Sequence, residues 1–305
     1  MEYGATPVHE EPYGQVLELI VRSIQVKRTV IGIAALCALA SASAAPVSAP
    51  LYVSYARGFK AGGFNPGDIT AVAANIPFAP EHVNAYEVGV KSEWLEERLL
   101  VNLAVFRSEY SDLQVSINQI TSNGTFISLV RNAAASISQG AEFETRWAVS
   151  RQFRLSANAS YLDAYYADYL NGSPTSAQTL IGQKSQDLSG RPTEYASKLS
   201  GSAVATYTTP VAGLPFTTEV GVYAARRSYL DPTDDDLLQQ HGYARLDARL
   251  GLESADGHWA VDVIGKNLAD REIRTFVTNQ PTALGSLLVQ NQQPRNVALQ
   301  FRYHW

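Results

Sequence analysis

A single cysteine and a single methionine occur in 305 residues. A lone Cys37 can make neither an internal disulfide nor a cysteine-based zinc site, so disulfide scaffolds and Cys metal domains are excluded. Charged residues are scarce at 17%, against about 25% in an ordinary soluble domain. The net charge of −5 leaves no basic surplus for a general nucleic-acid binder. No apolar run reaches the roughly 18 residues that a membrane-spanning helix needs. Catalytic signatures are missing too: there is no G-x-S-x-G, no H-E-x-x-H and no phosphate-binding glycine loop, and nothing calls for a cofactor. None of these absences touches a transmembrane β-barrel, whose alternating strands escape a hydropathy search.

What is present begins with a basic pair, Lys27-Arg28, followed by an apolar stretch over residues 29–40 and then Ser41-Ala42-Ser43-Ala44. Basic flank, short apolar core and small residues at −3 and −1 make residues 26–44 a secretory signal, with cleavage expected after Ala44. A short buried helix is the alternative. A lipoprotein signal would need a small residue before Cys37, where Leu36 stands. Residues 1–25 are read as an extension that need not belong to the native product, because Val26 can serve as a start. Residues 45–305 form the remaining domain.

From Leu51 onward apolar residues recur with period two. Val297, Leu299, Phe301, Tyr303 and Trp305 alternate with Asn296, Gln300, Arg302 and His304. Ala244, Leu246, Ala248, Leu250 and Leu252 alternate with Arg245, Asp247, Arg249 and Glu253. Such alternation is the mark of a strand with one apolar face. Ten strands are predicted, near 50–60, 82–94, 98–119, 124–149, 151–167, 195–208, 215–227, 242–253, 258–267 and 292–305. Short connections near 95–97, 150, 210–214 and 255–257 alternate with long ones near 61–81, 168–194, 228–241 and 268–291. The exception is Asn123-Gly124, a hairpin turn signal between two long strands.

Short turns on one side and long loops on the other are the asymmetry of an outer-membrane barrel. A bilayer gives backbone groups no hydrogen-bond partner, so spanning strands must pair side to side. The fold expected is all-β, an antiparallel up-and-down transmembrane β-barrel of about ten strands. Trp94, Trp147, Trp259 and Trp305 fall near strand ends, where an interfacial aromatic girdle belongs. Glu142, Glu144, Arg146, Arg245, Asp247, Arg249, Asp262 and Arg302 share the polar face, hence the lumen. Lipid and lipopolysaccharide are the implied surroundings, with Arg57 and Lys60 facing phosphates or solvent. A soluble sandwich is the competing architecture.

Five segments in order resemble the barrel of TonB-dependent outer-membrane receptors: LYVSYARGFKAGGFNP, FAPEHVNAYEVGVKSEW, RNAAASISQGAEFETRW, VIGKNLADREIR and the final QQPRNVALQFRYHW. The resemblance runs from Leu51 to Trp305. It implies the C-terminal part of a 22-strand barrel that takes up ferric siderophores or similar scarce nutrients, energised through the TonB complex and fitted with an N-terminal plug. Residues 45–50 leave no room for a plug after the signal, so the chain reads as a truncated form. TonB is then a partner only if a plug is supplied elsewhere. The resemblance also implies that Phe301, Tyr303 and Trp305 form the signal read by the outer-membrane assembly machinery.

Candidate ligand contacts are Tyr229 and the acidic run Asp231, Asp234, Asp235 and Asp236 on a long loop. Four carboxylates could hold Ca²⁺ through oxygen ligands, but the EF-hand glycine and final Glu are absent. A solvated acidic loop is the expectation. Two other functions stay in view. One is a small standalone barrel acting as a passive pore or structural protein. The other is a rim-active hydrolase, with His82 or His241 beside the acidic run as general base.

Overall fold

The computed structural model describes residues 48–65, 77–120, 126–280, 283 and 285–305. The signal sequence, the extension before it and the Asn123-Gly124 turn lie outside the described residues. In chain order the strands are β1 (Leu51–Lys60), β2 (Gly63–Phe64), β3 (Pro77–Phe78), β4 (Glu81–Trp94), β5 (Leu99–Ile120), β6 (Phe126–Ala148), β7 (Phe153–Asp168) and β8 (Leu199–Val211). They continue with β9 (Leu214–Ala225), β10 (Ser228–Tyr229), β11 (Gln239–Gln240), β12 (Tyr243–Glu253), β13 (Trp259–Lys266), β14 (Arg274–Asn279), β15 (Leu287–Asn291) and β16 (Asn296–Tyr303). A one-turn helix, α1 (Ser176–Leu180), sits in the loop after β7.

Ten of these strands form one antiparallel sheet in the order β1-β4-β5-β6-β7-β8-β9-β12-β13-β16. Every pairing follows chain order, as a meander requires, and matches the ten segments that the alternation predicts. β1 and β16 stand at opposite ends and do not pair with each other, so the described sheet is an open arc. The six remaining strands make three small hairpins inside the long loops, β2–β3, β10–β11 and β14–β15. Sequence reading missed them because β2, β3, β10 and β11 have only two residues each, too few to carry a period, and the residues of β14 and β15 do not alternate between apolar and polar.

Register decides which residues share a face. Val53 pairs with Val88, Val88 with Val105, and Val105 with Ala141. At the other end Leu250 pairs with Val263, and Val263 with Leu299. These rows carry an apolar surface around the arc that nothing among the described residues covers: Leu299 is 75% exposed and Val53 74%. Large apolar groups in such a continuous band are stable only against lipid or another apolar partner. On β4 the band runs from Tyr86 to Trp94, close to the roughly 9–11 residues that span a bilayer. Trp94, Trp147 and Trp259 lie at its turn-side edge, with Tyr303 directly opposite Trp259.

The protein's packed core is on the loop side. One cluster joins Ala134, Tyr166, Tyr169 and Leu188, with Leu113 and Val115 against it. A second joins Leu230, Leu238 and Val277. β5 and β6, of 22 and 23 residues, project far enough to support these loops. Their register shifts between Tyr110 and Leu113, where Asp112 adopts a left-handed φ of 55°. A bulge of this kind bends and re-aims the strand beyond it. Past the bulge, Gln114 Nε2 donates to the carbonyls of Ala61 and Ala79, and Asn132 Nδ2 donates to Ala79 and Asp112.

Candidate functional site

The face opposite the apolar band is polar, as the alternation predicts. Pairing of β5 with β6 sets Asn102 opposite Glu144, and Asn102 Nδ2 donates to Glu144 Oε2 at 3.2 Å. Tyr52 donates its hydroxyl to Glu87 at 2.6 Å, with Lys91 Nζ 5.7 Å from the Tyr52 ring centre. Tyr52, Lys91, Asn102 and Glu144, with Glu142 and Asn158, line an open cleft of about 420 Å³. Four strands further round from β7, on β13, Asp262 is almost fully buried at 1% exposure. Its Oδ1 accepts from Arg249 Nε at 2.8 Å and its Oδ2 from Arg302 Nη2 at 2.9 Å. Gly251 makes the room: a Cβ there would lie 2.5 Å from Asp262 Oδ1. Asp247 accepts from the Asn267 amide at 2.9 Å and pairs with Arg245 and Lys266.

Beyond the apolar band, the outward face turns polar at its loop-side end. Arg107 donates to Glu109 at 2.7 Å and to Gln139 at 2.6 Å, and Gln139 donates to Asp163 at 3.3 Å. Lys198 Nζ lies 3.7 Å from Asp163, and Tyr55 donates to Asn84 at 3.0 Å. Sequence reasoning did not single out this belt. Arg107 occupies the same alternation row as Leu103 and Val105, and the signal was the abrupt change from apolar to charged along that row.

The candidate ligand contacts lie in the loop between β9 and β12, which packs on the loop between β7 and β8. The Tyr195 amide donates to the Tyr229 carbonyl at 2.7 Å. Gln186 Nε2 donates to Ser173 O at 2.7 Å and to Thr233 O at 2.8 Å, stitching one loop to the other. In the first loop, Thr175 and Gln178 form a capping box at the start of α1. The Arg274 amide donates to Gln240 Oε1 at 2.6 Å, tying in the third long loop.

Three of the four aspartates are partly or fully withdrawn from solvent, so the run is not simply a solvated one. Asp231 Oδ1 accepts from the Thr233 amide at 3.0 Å and hydroxyl at 2.7 Å. Asp235, 8% exposed, accepts from the Leu237 amide at 3.0 Å and so caps a 3₁₀ turn over Asp236–Leu238. Asp236 is exposed and accepts from the Tyr229 hydroxyl at 3.2 Å. Both carboxylate oxygens of Asp234 are buried without a hydrogen-bond partner. Burial pushes the Asp231 carboxyl above its ordinary range and Asp234 up to about 6, with Arg191 pulling the latter back down. Thus Tyr229 and the four aspartates share one loop, but their carboxylates serve separate local tasks. Among the described residues, no three His, Cys, Asp or Glu side chains converge on a metal position. Asp235, one of the acidic residues near His241, uses one carboxylate oxygen for this cap.

Comparison with known proteins places this architecture. Residues 46–268 match the family described as TonB dependent receptor-like, beta-barrel. The probable TonB-dependent siderophore receptor PiuA of Acinetobacter baumannii is 28% identical over 118 residues, 37% of this chain and 15% of that protein. Among solved structures, the ferric yersiniabactin uptake receptor FyuA of Yersinia pestis superposes with a TM-score of 0.66 at 19% identity, over 85% of this chain and 36% of that one. The siderophore receptor PiuA from A. baumannii gives 0.61 at 20% identity, over 84% and 34%. At these identities the structural likeness shows the fold: an arc that matches part of a larger barrel. The chain belongs to the TonB-dependent receptor-like β-barrel family. That family consists of outer-membrane receptors, and the chain spans 36% or less of the relatives named here.

Proposed function

We propose that this chain forms part of the wall of an outer-membrane receptor that imports a ferric siderophore or a similar scarce nutrient. The observation that carries the reading is the ten-strand arc itself. The arc, with its apolar outer band and alternation of short turns and long loops, has a backbone that superposes on a ferric yersiniabactin uptake receptor at a TM-score of 0.66. The long loops then face the outside and the tight turns the periplasm. Tyr229 and the exposed Asp236, at the rim of the packed loops, are the proposed ligand contacts. Asp231 and Asp235 shape the loop that presents them.

The outward belt of Arg107, Glu109, Gln139, Asp163 and Lys198 supports contact with lipopolysaccharide, since it stands just above the apolar band, at headgroup height. Energy transfer from TonB requires a plug, and the polar face around Glu87, Glu142 and Glu144 is the wall on which one would pack. Phe301 and Tyr303 on the last strand, with Trp305 just after it, are the proposed signal for the assembly machinery.

The test is a hybrid receptor. Residues 46–305 replace the corresponding arc of the yersiniabactin receptor, and radioactive-iron uptake is measured with a panel of ferric siderophores, with and without TonB. The expected result is TonB-dependent uptake with an altered ligand preference. A hybrid that reaches the outer membrane, retains its plug and imports none of the panel would overturn the reading.

A further inference from the structure

The seam between the two packed loops contains one group that its surroundings do not suit. Asp234 sits at a left-handed φ of 55°, with both carboxylate oxygens buried and unpartnered. Its neighbours on either side are hydrogen-bonded, Asp231 to Thr233 and Asp235 to Leu237. A charged carboxylate in that position loses hydration and gains no donor, whereas the neutral acid loses far less.

The charged and titratable groups facing it come from every element around the seam. Arg191 and Glu194 belong to the loop after β7, and Arg227 and Asp236 to its own loop. The Tyr166 phenol, on the end of β7, and the Tyr229 phenol, on β10, also feel its charge. Tyr166 already donates its hydroxyl to Glu194 at 2.7 Å. Two cations therefore oppose two further acids, and neither cation hydrogen-bonds Asp234. The seam itself rests on few bonds, chiefly Tyr195 N to Tyr229 O and Gln186 Nε2 to Thr233 O. The Thr233 carbonyl that Gln186 holds belongs to the peptide unit leading directly into Asp234.

We infer that the seam is a proton-operated latch: the two loops are docked while Asp234 carries a proton and separate when it ionises. The sign follows from the carboxyl's higher proton affinity when docked than when exposed. Docking is fully favoured below the ordinary carboxylate range near 3.8 and weakens as pH rises through about 6. Loop contacts over the mouth of the arc would thus be tighter in acidic surroundings and looser at neutral pH.

The experiment uses the full chain in detergent micelles, with Cys37→Ser as background. Spin labels are placed at Lys184→Cys and Leu237→Cys, both exposed and one in each loop. Distance distributions are recorded at pH 5.0 and 7.5. The ratio of separated to docked populations is expected to rise about tenfold, because between these pH values about one unit of the rise from 3.8 to about 6 is sampled. Asp234→Asn cannot ionise and tolerates the left-handed backbone, so it should stay docked at both pH values. Asp236→Asn should shift like the parent. A wild type whose distances ignore pH overturns the inference. So does a shift that survives in Asp234→Asn or that vanishes equally in Asp236→Asn.

Discussion

Asp262 shows how much one side chain can hold on the polar face. It is buried to 1% exposure and bridges Arg249 on β12 to Arg302 on β16 across its own strand. Removing it leaves two guanidiniums facing each other across an emptied site. Asp262→Ala should destabilise the sheet by on the order of 2 kcal/mol, below the usual cost of breaking a buried pair because both arginines keep some solvent contact. Urea titration in detergent, followed by tryptophan fluorescence, would measure it. Gly251→Val should be at least as damaging, since any Cβ there meets the Asp262 carboxylate. Sequence alternation placed Asp247, Arg249, Asp262 and Arg302 on one face. It could not say that Asp262 would be clamped and its neighbours half-exposed, because that depends on the β12–β13–β16 register and on the missing side chain at Gly251.

At the scale of elements, the tight turns carry the strain. Leu95, Glu96 and Glu97 all take positive φ, at 55°, 59° and 65°. Each non-glycine residue in that region costs roughly 1 kcal/mol or more. Glu96 is exposed, so Glu96→Gly removes strain without removing packing. Its expected effect is a gain of about 0.5–1 kcal/mol, part of the relief being lost to the unfolded chain's added freedom. A second turn, Ala212-Gly213, has φ values of 52° and 84°, the mirror-image geometry that joins antiparallel strands. Ala212→Asn should stabilise the β8–β9 hairpin by a few tenths of a kcal/mol, read as a small rise in melting temperature. The reverse case is Gly140. A Cβ there would collide with the Tyr161 carbonyl on β7, so Gly140→Val should disrupt β6–β7 pairing and lower folded yield sharply. Long and short connections were legible from turn residues and from where the alternation stopped. The three small hairpins and the 3₁₀ turn were not, because their bonds join segments whose residues show no periodicity.

At the scale of the whole molecule, the apolar side faces outward and the tightest packing lies in the loops. A protein built this way depends on its surroundings for solvation of its largest apolar surface. Deleting Phe301–Trp305 removes half of the last strand's outer row, Phe301 and Tyr303, and with it the aromatic edge beside Trp259. The expected outcome is protein that fails to reach the outer membrane, shown by loss of heat-modifiable migration in membrane fractions. Unchanged insertion would mean that the assembly signal lies elsewhere.

Sequence alone determined the class of fold, the ten strands, their chain-order pairing and the split into an apolar and a polar face. The reason is local: a strand's side chains alternate with period two whatever its neighbours do, and turns follow from residue type. The tertiary structure alone decided what the loops do. The acidic run looked like a hydrated surface feature, yet Gln186 bonds into it from a distant loop, Asp235 is buried, and both carboxylate oxygens of Asp234 are withdrawn from solvent without a partner among the described residues. The outward polar belt also needed the register, since it unites Arg107, Gln139 and Asp163 from three strands. Burial and charge compensation are properties of what a residue meets across the sheet or across a loop seam, and no period in the chain encodes that meeting.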